Sequence, residues 1–295
     1  CSTKQEQQEL LNIVIVGGGA TGIEVAGILS EMKKFVLPND YPDMSSSLMH
    51  IYLIEAGPRL LAGMSEESSA HAEQFLREMG VNILLNKRVV DYRDHKVVLE
   101  DGTEIATRTF IWVSGVTGVT IGNLDASLIG RGGRIKVDSF NRVEGMNNVF
   151  AIGDQCIQLA DENYPNGHPQ LAQVAIQQGE LLAKNLIRME KGQEMKPFHY
   201  RNLGSMATVG RNRAVAEFSK VKMQGWFAWV MWLVVHLRSI LGVRNKVIVL
   251  LNWVWNYFTY DQSMRMIVYA RKAKEIRDRE KVEETTHWGK ELVQE

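Results

Sequence analysis

The chain has 295 residues, 45% hydrophobic and 23% charged, long enough for about two domains and too apolar for bulk disorder. Its 34 basic and 34 acidic side chains cancel, so no global field draws nucleic acid or an anionic membrane, and any such attraction must be local. The two cysteines, Cys1 and Cys156, form no C-x-x-C, which excludes a disulfide scaffold, a cysteine zinc site and a thioredoxin-type redox pair. The polar start, CSTKQEQQELL, lacks the order of a secretory signal, and nothing marks the chain as secreted.

The first element is the β-branched run NIVIV (12–16), which predicts a buried parallel strand. It runs into GGGATG, where Gly17, Gly19 and Gly22 fit G-x-G-x-x-G, and then into the helical pattern IEVAGILSEM. Strand, glycines and helix in that order have a mechanism. Gly17 allows the tight turn, Gly19 lets a pyrophosphate reach the backbone, and Gly22 lets the helix pack on the strand. The helix start then offers free N–H groups to the phosphates. A second strand, HIYLI (50–54), ends at Glu55, where a dinucleotide fold places its ribose-binding acid. A carboxylate there accepts from both ribose hydroxyls and repels a 2′-phosphate, favouring NAD over NADP. The gap from Gly22 exceeds the usual ~20 residues, and the excess reads as a loop, FVLPNDYPDMSSS (35–47). The alternatives are a glycine-rich turn of another α/β fold and, for Glu55, a plain surface carboxylate.

Further along, 66–79 predicts a helix, 81–85 a strand, and 88–105 short strands joined by a turn at Glu100, Asp101 and Gly102. TFIWV (109–113) reads as another buried strand ending at Ser114 and Gly115, at the edge where such sheets bind ligands. NVFAI (148–152) reads as a strand stopping at Gly153 and Asp154, a spacing familiar from flavin-binding, disulfide-reductase-like proteins. HPQLAQVAIQQGELLAKNLI (168–187) follows as a helix, with His168 and Pro169 at its start. Gln173 and Gln177 share one face while Gln178 turns away; such amides suit a neutral carbonyl ligand, or are simply solvated. Strands around a Gly-Arg-Asn turn are expected over 198–218.

Five tryptophans crowd between Trp226 and Trp255, in the chain's longest apolar stretch. Residues 226–235 and 247–251 are both far short of the ~20 needed to span a bilayer. Asn252, Asn256, Thr259 and Ser263 form a polar stripe opposite Leu250, Leu251, Val254, Tyr257 and Phe258, as an interfacial helix requires. Arg238, Arg244 and Lys246 suit anionic lipid. A monotopic anchor through 225–263 is therefore expected, with a helix hairpin inside the protein or at a homodimer interface as the alternative. The histidines show no H-x-x-x-H or H-x-H pairing, Ser114 lacks a nucleophile elbow, and Cys156 reads as a small buried residue. Nor are basic residues interleaved with aromatics for nucleic acid.

GGGATGIE, IWVSG, FAIGD, AQVAIQQG, GSMATVGR and LNWVWNYFTYD, in that order, resemble the type II NADH dehydrogenases, or NADH:quinone oxidoreductases. The resemblance implies an α/β fold: a Rossmann-like NAD(H)-binding domain at 10–120 and the C-terminal part of a disulfide-reductase-like FAD domain at 121–222. Membrane-associating helices at 223–270 and a charged tail at 271–295 would follow. It implies NADH at Gly17, Gly19, Gly22 and Glu55, with Glu24 near the nicotinamide–flavin contact and Gly115 beside the nicotinamide. It also implies FAD at Asp154, and a quinone-site helix carrying Gln173 and Gln177. The 198–218 strands would cap the FAD domain. Hydride would pass from NADH to FAD and on to a membrane quinone without proton pumping, at the cytoplasmic face of a bacterial inner membrane. Two departures stand out. The sequence holds one G-x-G-x-x-G where the family has two, so the flavin domain is half built and FAD binding is expected to be weak; and Leu203 replaces a residue often charged in relatives. A sulfide:quinone or disulfide oxidoreductase shares the architecture but needs paired cysteines. A non-catalytic NAD-binding membrane module is the rival of another class.

Overall fold

A computed structural model of the chain describes residues 3–42, 45–119, 121–219 and 221–259. The chain divides into two compact units, 1–246 and 247–295. In the first, helix α1 (Lys4–Leu11) is capped by the Thr3 hydroxyl, which accepts from the Glu6 N–H at 3.1 Å. Strand β1 (Asn12–Val16) follows and is buried along its whole length. Helix α2 (Ala20–Glu31) then continues through a π-turn (Met32–Val36) into α3 (Leu37–Asp40). The stretch from Phe35 to Asp40, expected as loop, is thus helical, because Pro38 sits in the first turn of α3, where a missing N–H costs little.

Strand β2 (His50–Ile54), helix α4 (Glu66–Glu78) and strand β3 (Val81–Leu84) complete two crossovers. Strands β4 (Val89–Arg93), β5 (Lys96–Leu99) and β6 (Glu104–Ala106) form an antiparallel sheet, and β7 (Thr109–Trp112) returns to the main one. The main sheet is parallel, in the order β3-β2-β1-β7. Alternate residues of β1 face two cores. Ile13 and Ile15 meet α2 and α4 through Ile23 and Leu76; Val14 and Val16 meet the small sheet through Val97 and Leu99. Each such side chain, taken fully from water, contributes ~1.5–3 kcal/mol. Strand β7 departs from expectation. It is an edge strand, partly exposed, because among the described residues no strand lies beyond it.

The next stretch has little sheet. β8 (Ile135–Val137) and β9 (Cys156–Gln158) form a two-stranded parallel pair. The expected strand at 148–152 is absent: Phe150 makes a single bridge to Arg142, and Val149 and Ile152 are exposed. An apolar run becomes a strand only where a neighbour takes its backbone groups. Helix α5 (Ala172–Glu190) begins later than expected, after an extended Leu171. His168 is instead held in the preceding loop, buried, with Nε2 3.0 Å from Asp161 Oδ2.

Strands β10 (Ser205–Thr208), β11 (Ala214–Phe218) and β12 (Val221–Gln224) form an antiparallel meander around the Gly-Arg-Asn turn. This sheet lies against α2 and α4. Gly27 permits it: a Cβ there would stand 2.7 Å from Gly210 N. Glu217 reaches across to accept from the Ser65 N–H at 3.0 Å, at the start of α4, and its serine partners hold the carboxyl below the usual range against the opposing effect of burial. Helix α6 (Gly225–Ser239) packs Ala228 and Trp229 on the same sheet and exposes Trp226, Phe227 and Val234. Helix α7 (Val243–Thr259), most of it in the second unit, buries none of its residues. No described helix is long and apolar enough to cross a membrane. Ser263 of the polar stripe, the tail at 271–295, Cys1 and His287 lie outside the described residues.

Candidate dinucleotide and flavin-side site

The loop from β1 to α2 has the geometry its glycines require. Gly17 has φ +116°, a conformation that side chains rarely adopt. A Cβ on Gly22 would lie 1.8 Å from the Gly17 carbonyl oxygen, so only glycine lets the helix close on the strand. Gly19 is the N-cap of α2, makes no side-chain cap, and has nothing within 4 Å of where a Cβ would be. Unsatisfied first-turn N–H groups beside open space form a cradle for a pyrophosphate. Glu55, just past β2, turns back on this loop: Oε2 accepts from the Gly18 N–H at 2.6 Å and Oε1 from the Gly57 N–H at 2.7 Å. The carboxylate is thereby pre-oriented, and each oxygen keeps a lone pair for a ribose hydroxyl.

Across the sheet, Val113 N–H donates to Val16 O at 2.9 Å, and Ser114 lies against Gly17. Gly115, at φ +75°, opens onto free space. The chain then passes to Val119, whose N–H and C=O are both taken by the Gln155 carboxamide, at 2.8 and 2.7 Å. Gln155 follows Asp154 directly, so one side chain joins the β7 exit to the turn of the candidate flavin acid. Asp154 itself is exposed on that turn (Gly153–Gln155).

Behind the turn is a buried polar knot. Gln178, only 1% exposed, accepts from the Gly153 N–H at 2.7 Å, and the Cys156 thiol donates to Gly153 O at 3.4 Å. Asn141 and Gln178 approach the sulfur at 3.8 and 3.7 Å. Burial pushes the Cys156 thiol up, so it stays protonated and serves as a small packing residue. Gln178 does turn away from Gln173 and Gln177, but inward.

Gln173 and Gln177 share the face of α5 that meets residues 201–204. Gln173 donates to Gly204 O at 3.0 Å and accepts from the Leu203 N–H at 3.1 Å; Gln177 donates to Arg201 O at 2.9 Å and accepts from its N–H at 3.1 Å. Asn185 repeats the pattern on Lys196, at 2.8 and 2.9 Å. An extended segment is thus held on the helix by side-chain amides. Leu203, within it, is exposed. Glu24, on α2, stands apart from this face and accepts from the Thr208 N–H at 3.5 Å. Burial raises its carboxyl pKa, with Thr208 and His236 pulling the other way.

The structure therefore joins Gly17, Gly19, Gly22, Glu55 and Gly115 along the carboxyl ends of one sheet, and Asp154 with α5 beyond it. Gln155 and Gln178 were missed by sequence reasoning. Their proximity to Asp154 and Gln177 was visible, but their direction was not. No group of three or more potential metal ligands occurs among the described residues.

Fold and site together define an α/β chain with the strand–glycine–helix loop typical of dinucleotide-binding folds. More narrowly, the chain belongs to the pyridine nucleotide-disulphide oxidoreductase family, whose model matches residues 2–179. The NDH2 C-terminal domain matches residues 202–260, which bears out the resemblance to type II NADH dehydrogenases. The chain is 35% identical to the type II NADH:quinone oxidoreductase NdhA of Mycobacterium tuberculosis, covering 84% of this chain and 54% of that one. It is 32% identical to the internal alternative NAD(P)H-ubiquinone oxidoreductase A1 of Arabidopsis thaliana, covering 86% and 52%. The chain thus spans about half the length of the curated relatives it matches. The fold is shared with NDH2 of Plasmodium falciparum, solved in complex with NADH, at a TM-score of 0.80 and 19% identity over 89% of this chain and 69% of that one.

Proposed function

We propose that this chain is the NADH-binding and quinone-side portion of a non-proton-pumping NADH:quinone oxidoreductase. The observation that carries the reading is the open, uncapped start of α2 at Gly19, flanked by the pre-oriented carboxylate of Glu55. Pyrophosphate, ribose and nicotinamide would lie in turn over α2, Glu55 and Gly115. Residues 10–120 would form this domain and 121–222 the flavin side. Glu24 is assigned to the nicotinamide–flavin contact, where a carboxyl raised by burial presents less charge to a hydride path.

Exposed Asp154 and the uncapped start of α5 fit the ribityl and ring end of FAD. The G-x-G-x-x-G of this sequence is assigned to the NADH side. When bound, the flavin would take hydride from NADH and pass electrons to a quinone. The protein's part is placement. Gln173 and Gln177 each use one N–H on the 201–204 backbone, and the remaining one is aimed by that clamp and can donate to a quinone carbonyl.

The exposed apolar side chains of α6, among them Trp226 and Phe227, support attachment to a membrane surface, the side from which a lipid-dissolved quinone arrives. The same attachment is assigned to 225–263 as a whole, as a peripheral anchor at the cytoplasmic face of a bacterial inner membrane. The test is stopped-flow kinetics on the full-length flavoprotein. Gln173→Ala and Gln177→Ala are expected to slow quinone reduction roughly threefold to tenfold each, for one neutral hydrogen bond of ~0.5–1.5 kcal/mol, and to leave flavin reduction by NADH unchanged. Equal losses in both half-reactions would remove the quinone assignment.

A further inference from the structure

Trp112 closes the edge strand β7 and takes no part in either core, with 55% of its surface exposed. Its ring is nonetheless held on two sides. The indole Nε1–H donates to the Ser114 carbonyl at 2.6 Å. Beneath it the Phe110 ring meets the indole edge-on at 6.0 Å and stacks on Tyr92 at 4.7 Å, while the Tyr92 hydroxyl donates to Thr107 O at 3.1 Å. An exposed indole N–H ordinarily turns to water. Here it bonds back to the carbonyl two residues on, where the chain leaves the sheet.

That carbonyl belongs to the turn that borders the glycine loop. A Cβ on Gly17 would stand 3.0 Å from Ser114 Cβ, and the next residue, Gly115, takes φ +75° with open space beside it. In the strand order β3-β2-β1-β7, Glu55 stands past β2, the glycine loop past β1, and Ser114 past β7. A dinucleotide with one ribose at Glu55 and its pyrophosphate at the start of α2 carries its second nucleoside toward β7. Among the described residues, this indole is the side chain that fixes the Ser114 carbonyl.

We propose that Trp112 is a positioning residue for the nicotinamide riboside half of the dinucleotide, holding through its N–H the turn at Ser114 and Gly115 on which that half rests. The proposal depends on the dinucleotide site described above. It assigns to Trp112 a role confined to one end of the ligand: the adenosine and pyrophosphate contacts of Glu55 and Gly19 do not involve it.

The test is calorimetric titration of the 295-residue chain with NADH and, separately, with ADP-ribose, which lacks the nicotinamide. Trp112→Phe keeps an aromatic ring over Phe110 and removes only the N–H. It is expected to weaken NADH roughly threefold to tenfold and to change ADP-ribose less than about twofold, the ADP-ribose affinity reporting that the fold is intact. Trp112→Tyr, read the same way, serves if the phenylalanine variant does not fold. Equal losses for both ligands, or no loss of NADH affinity, would overturn the proposal. Wild-type protein that binds neither ligand would instead overturn the dinucleotide site itself.

Discussion

Around β1 the fitting is done by backbone, through glycines where a Cβ would collide, while around Asp154 and α5 it is done by carboxamides that take the place of missing strand neighbours. The first region has four paired strands, cores on both faces and a loop clamped, among the described residues, by the side chain of Glu55. The second has a two-stranded pair and exposed apolar residues at Val149 and Ile152. It is held together by Gln155 on Val119, Gln173 and Gln177 on residues 201–204, Gln178 on Gly153 and Asn185 on Lys196. A parallel sheet closed by glycine turns tolerates no added atom at those turns. A region stapled by amides tolerates side-chain changes in steps of about one hydrogen bond each.

The contrast predicts where single substitutions are severe. Gly22→Ala places a methyl 1.8 Å from a carbonyl oxygen that cannot move without breaking the β1 turn. It should cost roughly 3 kcal/mol or more in urea unfolding and abolish NADH binding. Gly19→Ala, with nothing within 4 Å of its Cβ, should leave stability nearly unchanged and weaken only the dinucleotide. Similar stability losses in the two variants would break the backbone account of this end.

Next in size is Gln178→Ala. It removes a buried carboxamide and strands the part-buried Gly153 N–H, and should cost ~1–3 kcal/mol. Hydrogen exchange should show protection lost near 153–156 and kept across β1 and β2. Loss of protection across the main sheet would mean that the two regions are one cooperative body rather than differently built ends.

Glu55 sharpens the comparison, as the one carboxylate doing for the glycine loop what amides do elsewhere. Glu55→Gln removes the charge facing a 2′-phosphate and should narrow the preference for NADH over NADPH roughly tenfold, measured by titrating both nucleotides. Equal affinities in the wild type would remove the ribose assignment.

The smallest effect expected is at Glu24. Its carboxyl pKa is raised on folding, so the folded protein holds that proton more tightly than the unfolded chain. The stabilisation that the proton brings is complete below the unfolded value of 4.5 and is lost as pH rises through the raised folded value. Glu24→Gln, which is neutral throughout, should therefore melt higher than wild type at pH 7 and alike at pH 4. A melting point unchanged at both would mean that burial is relieved by solvent.

Much of the first region was legible in order and spacing. The NIVIV strand, the three glycines, HIYLI and Glu55 act through local geometry, and a turn that only glycine can make leaves its mark in the sequence. The placing of Gly17, Gly19 and Gly22 in one loop follows from that locality, whereas the reach of Glu55 to Gly18 spans 37 residues and depends on the pairing of β1 with β2. Tertiary structure decided the rest. The run at 148–152 has the composition of a strand, yet its pairing with residues 141–143 goes no further than one bridge. TFIWV reads as buried but lies at an edge, because strand order depends on which strands pair and not on any one strand's residues. Gln178 reads as turned away from Gln173 and Gln177, and it is, but inward, since helical spacing gives relative faces and packing alone says which face is inside. The Gln155 staple on Val119 joins residues 36 apart in sequence, a separation at which no local pattern carries information.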